Sequence, residues 1–240
     1  MDYAKNTTQA HSNEKYFFSS DDFFHLRIRT ELPNFKELVY LFMKRATDLL
    51  GASVGLILTL PLFLIIALII KIEDGGTIFF AQKRVGLNGQ TFKMLKFRSM
   101  AMDAEERLAE IAHLNEVQGV TFKLKNDPRL TNVGRWLRGH SLDEIPQFIN
   151  VLKGEMSLVG PRPALISEVE SYSDYDKIRL CAIPGLSGLW QVSGRSTTSY
   201  AEMIRLDIRY INSRSWWKDC FIMLLTIIQI FQSSDQNGAY

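Results

Sequence analysis

The chain has 240 residues, and 28 Lys+Arg against 26 Asp+Glu leave a formal charge of only +2, which gives no support for a dedicated nucleic-acid binder. Hydrophobic residues make up 46%, ordinary for a globular protein and too low for a polytopic membrane protein. Two cysteines, Cys181 and Cys220, cannot build a disulfide framework, and with four scattered histidines they offer no zinc-type ligand set.

Residues 1–32 are polar, mixed in charge and without a clear period, so they read as a mobile tail. Asn34 and Glu37 then have capping-box spacing, and Phe35, Leu38, Val39 and Phe42 recur at helical intervals. This predicts an amphipathic helix leading through Lys44 and Arg45 into Leu49–Ile70, 22 residues without a charge. A straight helix of that length measures about 33 Å, enough to cross a bilayer core of roughly 30 Å. The segment is not a cleavable signal peptide, because it starts late, is too long and lacks a small-x-small site. Pro61 falls near its middle and removes a backbone hydrogen bond, so the helix is expected to bend there. Basic residues flank both ends, so charge alone leaves crossing and a re-entrant dip equally open.

Two strand-like runs around Asn88-Gly89 predict a short β-hairpin. Residues 101–116 are rich in helix formers, another helical pattern begins at Ser141, and a third runs over 199–212. Near the C-terminus Trp217, Phe221, Leu224, Leu225 and Ile228 share one helical face, with Lys218, Thr226 and Gln229 on the other. Such a helix is too short to span; it suits either a membrane interface or the domain core. The boundaries expected are a tail to residue 32, a membrane helix over 33–72, a catalytic domain over 73–215 and an interfacial helix and tail over 216–240. The fold class is α+β, mostly helical.

The chemistry concentrates in RWLRGHSLDEIPQFINVLKG. Ser141 and Glu144 have the spacing of an S-x-x-E capping box, which would put Asp143 and Glu144 in the first turn of a helix. The helix dipole would then lower the pKa of Asp143 and keep it ionised, as a nucleophile or a metal ligand. Acids in a first turn are common as plain caps, so the surroundings decide. Arg135, Arg138, Lys93, Lys96 and Arg98 could converge on the two acids, a combination suited to a diphosphate held with Mg²⁺. Farther on, Gly160-Pro161-Arg162-Pro163 is a stiff loop that would present Arg162 to a phosphate or a base edge. IPGLSGLWQVSGR, with Gly185, Gln191 and Arg195, is a run of tight turns around Trp190. No P-loop and no G-x-G-x-x-G motif is present.

Taken in order, KRATDLLGASVGLILTLPLFLIIALIIKIEDGGTIFFAQKRVG, KFRSM, SLDEIPQFINVLKGEMSLVGPRP and PGLSGLWQVSGR resemble the bacterial sugar transferase family, the monotopic polyprenyl-phosphate hexose-1-phosphate transferases. The resemblance runs from about Lys44 to the C-terminus. It implies transfer of a hexose-1-phosphate from a UDP-hexose to undecaprenyl phosphate, releasing UMP and starting exopolysaccharide, capsule or O-antigen assembly. By position, Asp143 would form a covalent phosphosugar intermediate, Glu144 with Asp143 would hold Mg²⁺, and Arg138 and Lys96 would lie near the phosphates. Arg162 with Pro161 and Pro163 would meet the uridine nucleotide, and Gly185, Gln191 and Arg195 would belong to the same pocket. The resemblance also implies a re-entrant helix broken at Pro61, both flanks facing the cytoplasm, with membrane lipids as partners. Larger members carry further membrane helices, so the minimal catalytic form is expected. At Pro61 this chain has Leu-Pro where many relatives have Ser-Pro, and Thr59 is expected to bond the freed carbonyl instead. Two other readings compete: a membrane-anchored glycosyltransferase releasing UDP, and a non-catalytic scaffold. Neither the hexose, glucose or galactose, nor a homo-oligomeric state can be read from the residues.

Overall fold

The computed structural model describes residues 34–115, 124, 126–194 and 198–232; the expected tail and Arg195 lie outside them. The first element, α1 (Phe35–Asp74), is a continuous helix of 40 residues, about 60 Å if straight. It opens as expected, with the Asn34 side chain accepting from the Glu37 amide at 2.9 Å, and it stops at Gly75 in the left-handed region (φ 72°). Pro61 does not break it. Thr59 bonds the carbonyl of Gly55 at 2.6 Å, whereas the carbonyl that a proline at 61 leaves without its amide is that of Ile57. Thr59 therefore does not make the substitution expected of it.

Residues on both sides of Pro61 pack on one domain. Ahead of it, Asp48 accepts from the Ser157 hydroxyl and the Leu158 amide, each at 2.9 Å, and Ala52 joins a core with Val151, Met156, Val159 and Ile222. Beyond it, Ile66 and Ile70 are buried with Phe97, Leu137 and Ile145. Farther still, Glu73 accepts from the amides of Asn132 and Val133 at the start of α3 (Asn132–Gly139). The rest of α1 looks outward: Leu50, Ile57, Leu58, Leu64, Leu68 and Ile72 are all exposed, Leu58 to 75%.

The expected hairpin is present as β1 (Phe79–Val85) and β2 (Thr91–Phe97), paired antiparallel with Phe80 opposite Lys96 and Arg84 opposite Phe92. Its turn lies at Asn88-Gly89, both at positive φ, inside a loop over 86–90 that is longer than a two-residue connection. Residues 101–115, the described part of the expected helical stretch, carry less helix than their composition suggests: α2 is only Leu108–Ile111, with a 3-10 turn after it. None of the residues in α2 is buried, and a short helix without tertiary packing has little to sustain it. A short helix, α4 (Gln147–Lys153), follows Asp143 and Glu144 and ends at Gly154 (φ 82°). Next come β3 (Ser157–Val159), α5 (Ile166–Glu170), α6 (Asp174–Lys177), β4 (Gly185–Ser187) and α7 (Leu189–Ser193). β3 and β4 pair in parallel. The chain then forms α8 (Tyr200–Ser213), capped by Ser199, and α9 (Trp216–Gln232).

α9 buries Ile222 in the domain core but leaves most of its apolar stripe uncovered. Trp217, Phe221, Leu224 and Ile228 point outward, Trp217 at 76% exposure. Its polar side chains turn inward: Thr226 meets the Ser187 hydroxyl at 2.6 Å and Gln229 donates to the Val192 carbonyl. In α1 likewise Lys44, Arg45 and Asp48 bond the domain while most of the aliphatic side chains, Ala52, Ile66 and Ile70 apart, face out. This is the reverse of a helix on a water-soluble protein, and an apolar surface of such extent marks a lipid or partner contact.

Candidate active site

The segment around Asp143 and Glu144 folds differently from its capping-box expectation. Ser141 sits at φ 55° and caps nothing with its side chain; Leu142–Glu144 is a 3-10 turn, and α4 begins only after Pro146. Proline has no amide to donate back four residues, so the helical ladder cannot run through residues 142–146. Asp143 and Glu144 are thus held on a tight turn outside the helix. Asp143 is buried, at 5% exposure, while the Glu144 side chain is partly open.

Lys96 joins them. Its ammonium lies 2.7 Å from Glu144 Oε1 and 3.4 Å from Asp143 Oδ2. Asn150, fully buried on α4, fixes the strand that carries it: its amide donates to the Lys93 carbonyl at 2.8 Å, and its oxygen accepts from the Leu95 amide at 3.0 Å. Burial, and then the charge of Glu144, hold Asp143 above the ordinary carboxylate range, against the pull of Lys96 and Arg138. This overturns the helix-dipole expectation, because no helix starts at Asp143. Glu144 goes the other way: burial opposes its charge, but Lys96, joined by Gln147 and Arg162, offsets that and holds it below the usual value. The two adjacent carboxyls are therefore pushed in opposite directions, Asp143 up and Glu144 down, by surroundings that differ over a few ångströms.

Of the five cations expected to converge, Lys96 and Arg138 do so. Arg138 acts on Asp143 by charge while its Nε donates to the Ser99 hydroxyl at 2.9 Å. Arg98 instead pairs with Asp74 at the end of α1, and Lys93 and Arg135 are exposed. A second pair of cations takes their place. Arg162 and Arg84 both act by charge on or with Glu144, and Arg162 is braced by Glu168 at 3.0 Å. Burial, and next the charge of Arg162, push Arg84 down to about 10. Its Nε is buried without a partner.

The loop bearing Arg162 is fastened residue by residue. The Val159 carbonyl takes Lys44 at 2.8 Å, the Pro161 carbonyl takes the Gly185 amide at 2.8 Å, and the Pro163 carbonyl takes Arg84 at 3.1 Å. Arg162 itself donates its amide to Asp207 (3.3 Å), and its carbonyl receives Arg179 (3.1 Å). Arg179 and Asp207 form an ion pair at 2.7 Å with both side chains 1% exposed. Gly160 and Gly185 pass so closely that a side chain on either would meet the other's backbone. Gly185 thus supports the loop through its backbone. The Gln191 carbonyl oxygen is buried without a partner near Gly188.

Among the described residues no cluster of three or more metal-ligating side chains occurs. Asp143 and Glu144 nevertheless supply two adjacent hard oxygen donors, which fits Mg²⁺, an ion held through one or two carboxylates with its other positions left to water and substrate phosphate.

Arg84, Asn150 and the Arg179–Asp207 pair are absent from the sequence-derived site. For Arg84 a signal existed: once the hairpin register is known, strand alternation puts it on the face of Lys96. The others act through contacts far apart in sequence.

Comparison with known proteins adds the family. A model of the family described as bacterial sugar transferase matches residues 39–233. The chain is 47% identical over 201 residues to the exopolysaccharide production protein ExoY of Rhizobium meliloti, covering 82% of this chain and 88% of that one. It is 38% identical to the undecaprenyl-phosphate galactose phosphotransferase of Salmonella typhimurium, over 96% of this chain and 48% of that one. It is also 38% identical to the UDP-glucose:undecaprenyl-phosphate glucose-1-phosphate transferase of Escherichia coli, over 79% and 40%. The chain thus spans less than half the length of the last two.

Proposed function

The chain belongs to the bacterial sugar transferase family, and from that membership we propose that it transfers a hexose-1-phosphate from a UDP-hexose to undecaprenyl phosphate at the cytoplasmic face of the membrane, starting exopolysaccharide synthesis. The observation that carries this reading is Lys96 bridging a buried Asp143 and an ionised Glu144 within charge range of Arg138 and Arg162. A phosphoryl transfer needs a nucleophile and dispersed positive charge, and little else from the protein.

In the proposed course an oxygen of ionised Asp143 attacks the β-phosphorus of the donor. The bond from that phosphorus to the bridging oxygen breaks, and UMP leaves with the electron pair. An oxygen of undecaprenyl phosphate then attacks the same phosphorus, restoring the carboxylate and giving the lipid diphosphate-linked sugar. Lys96 and Arg138 offset the charge gathering on the phosphoryl oxygens, and Arg162 on its braced loop holds the nucleotide phosphate. Glu144 and Asp143 would hold Mg²⁺, which when bound neutralises diphosphate charge.

The membrane reading rests on packing. Lys44 and Asp48, ahead of Pro61, and Glu73, after it, all bond the same domain, which supports a reading in which both flanks lie on one side of the bilayer and the unbroken α1 sets its outward face into it without crossing. The outward faces of α1 and α9 take the lipid, which sets the site at the level where the acceptor's phosphate waits.

The test is nucleotide release by detergent-solubilised protein with undecaprenyl phosphate and Mg²⁺ across a panel of UDP-hexoses, galactose and glucose first. UMP, lost on chelation, supports the reading. UDP would instead indicate a glycosyltransferase, and no nucleotide from any sugar a scaffold.

A further inference from the structure

A second charged feature lies away from the acid pair and the Arg162 loop and shares no lining residue with either. Between α8 and the head of α9 runs an open groove of about 520 Å³, lined by Arg205, Arg209 and Lys218 together with Tyr175, Asn212 and Ser213. It has three cations and no carboxylate in its wall. Arg205 leans on Glu202 at 3.5 Å, with both side chains well exposed; among the described residues no carboxylate pairs with Arg209 or Lys218 within ion-pair distance. Lys218 donates to the Ser213 hydroxyl. Burial and then the charge of Arg209 lower its pKa, against a weaker pull from the neighbouring Asp219.

Position decides what anion belongs there. Lys218 follows the exposed Trp217 and precedes exposed Phe221 by one helical turn, so it stands on the border between the outward apolar face of α9 and the groove. Cations beside an outward aromatic and aliphatic stripe match a surface where phosphate lies above acyl chains. We propose that this groove binds the phosphate of an anionic phospholipid headgroup, with Arg209 and Lys218 as its principal ligands and the apolar face of α9 against the acyl chains. The assignment rests on the membrane-surface reading above and extends it to lipid selectivity.

The experiment titrates phosphatidylglycerol and, separately, phosphatidylcholine into the full chain in neutral detergent and counts bound lipid by native mass spectrometry. Flotation with phosphatidylcholine vesicles runs beside it. Wild type should retain phosphatidylglycerol in preference to phosphatidylcholine, and Arg209→Gln combined with Lys218→Gln should weaken phosphatidylglycerol retention by roughly 10- to 30-fold, leaving phosphatidylcholine unchanged. Arg209→Lys with Lys218→Arg keeps the charges and should keep the preference, which separates lost charge from lost fold. Equal retention of both lipids by wild type, an undiminished preference in the Gln variant, or competition by UMP at the groove would overturn the proposal. Failure to float with neutral vesicles would overturn the membrane reading itself.

Discussion

The two halves of the candidate site are built on opposite terms. Asp143 and Glu144 share one lysine on a short turn, and Asp143 is kept above its ordinary pKa by burial and by its neighbour. Around Arg162, by contrast, the backbone carbonyls of residues 159, 161, 162, 163 and 164 each have a donor, and a fully buried ion pair grips Arg162 at both its amide and its carbonyl. The difference teaches where this protein tolerates discomfort. The carboxyl proposed to react carries a pKa raised by its surroundings, whereas the loop proposed to hold the nucleotide is tied down by its own contacts, which would spare binding an ordering cost.

Four variants would break or sharpen that contrast. Asp143→Asn should lower UMP release by at least about 10⁴-fold, as loss of a covalent nucleophile does, with membrane attachment intact; retained turnover would remove Asp143 from that role. Because the pKa of Asp143 is raised on folding, its folding contribution is greatest at low pH and is lost as pH rises through the folded value. The neutral Asn should therefore raise the melting temperature near pH 7, an opposite movement of stability and activity. Asp207→Asn should do the reverse, costing about 3–5 kcal/mol in chemical denaturation because Arg179 is left buried and unpaired. A smaller stability loss than in an exposed pair such as Arg205–Glu202 would contradict the clamp.

Lys96→Met should reduce turnover by roughly 10²- to 10³-fold and shift the acidic limb of the pH–rate profile to higher pH, since the main group opposing protonation of Asp143 is gone. An unmoved limb would mean that another group sets it. Least affected should be Leu224→Ser on the outward face of α9: folding in detergent should change by less than about 0.5 kcal/mol, while resistance to extraction from vesicles falls. A core-sized loss of stability would show that this face is covered by protein.

Much of the machinery was legible in the chain, and the reasons are local. The hairpin at Asn88-Gly89, the Asn34 and Ser199 caps, the Gly154 stop and the length of the apolar helix all follow from residues within a turn of one another. So did the identity of Asp143, Glu144, Lys96 and Arg162 as residues worth testing, although convergence of Arg98, Lys93 and Arg135 was expected and does not occur. Pro146, which has no amide to donate, is what separates α4 from Ser141, and the helix dipole expected at Asp143 is absent for that reason.

The chain by itself determined which segments are helical or strand-forming, where apolar residues concentrate and which residue types could do phosphoryl chemistry, because these depend on propensity, period and side-chain identity. Tertiary structure decided the rest. Whether the stripe on α9 faced in or out, which cations met the acids, in which direction the Asp143 pKa moved, and that Arg179 and Asp207 hold Arg162 across separations of 17 and 45 residues all depend on burial and on distances between segments remote in sequence. Desolvation and Coulomb energy are set by those distances, and no local pattern encodes them.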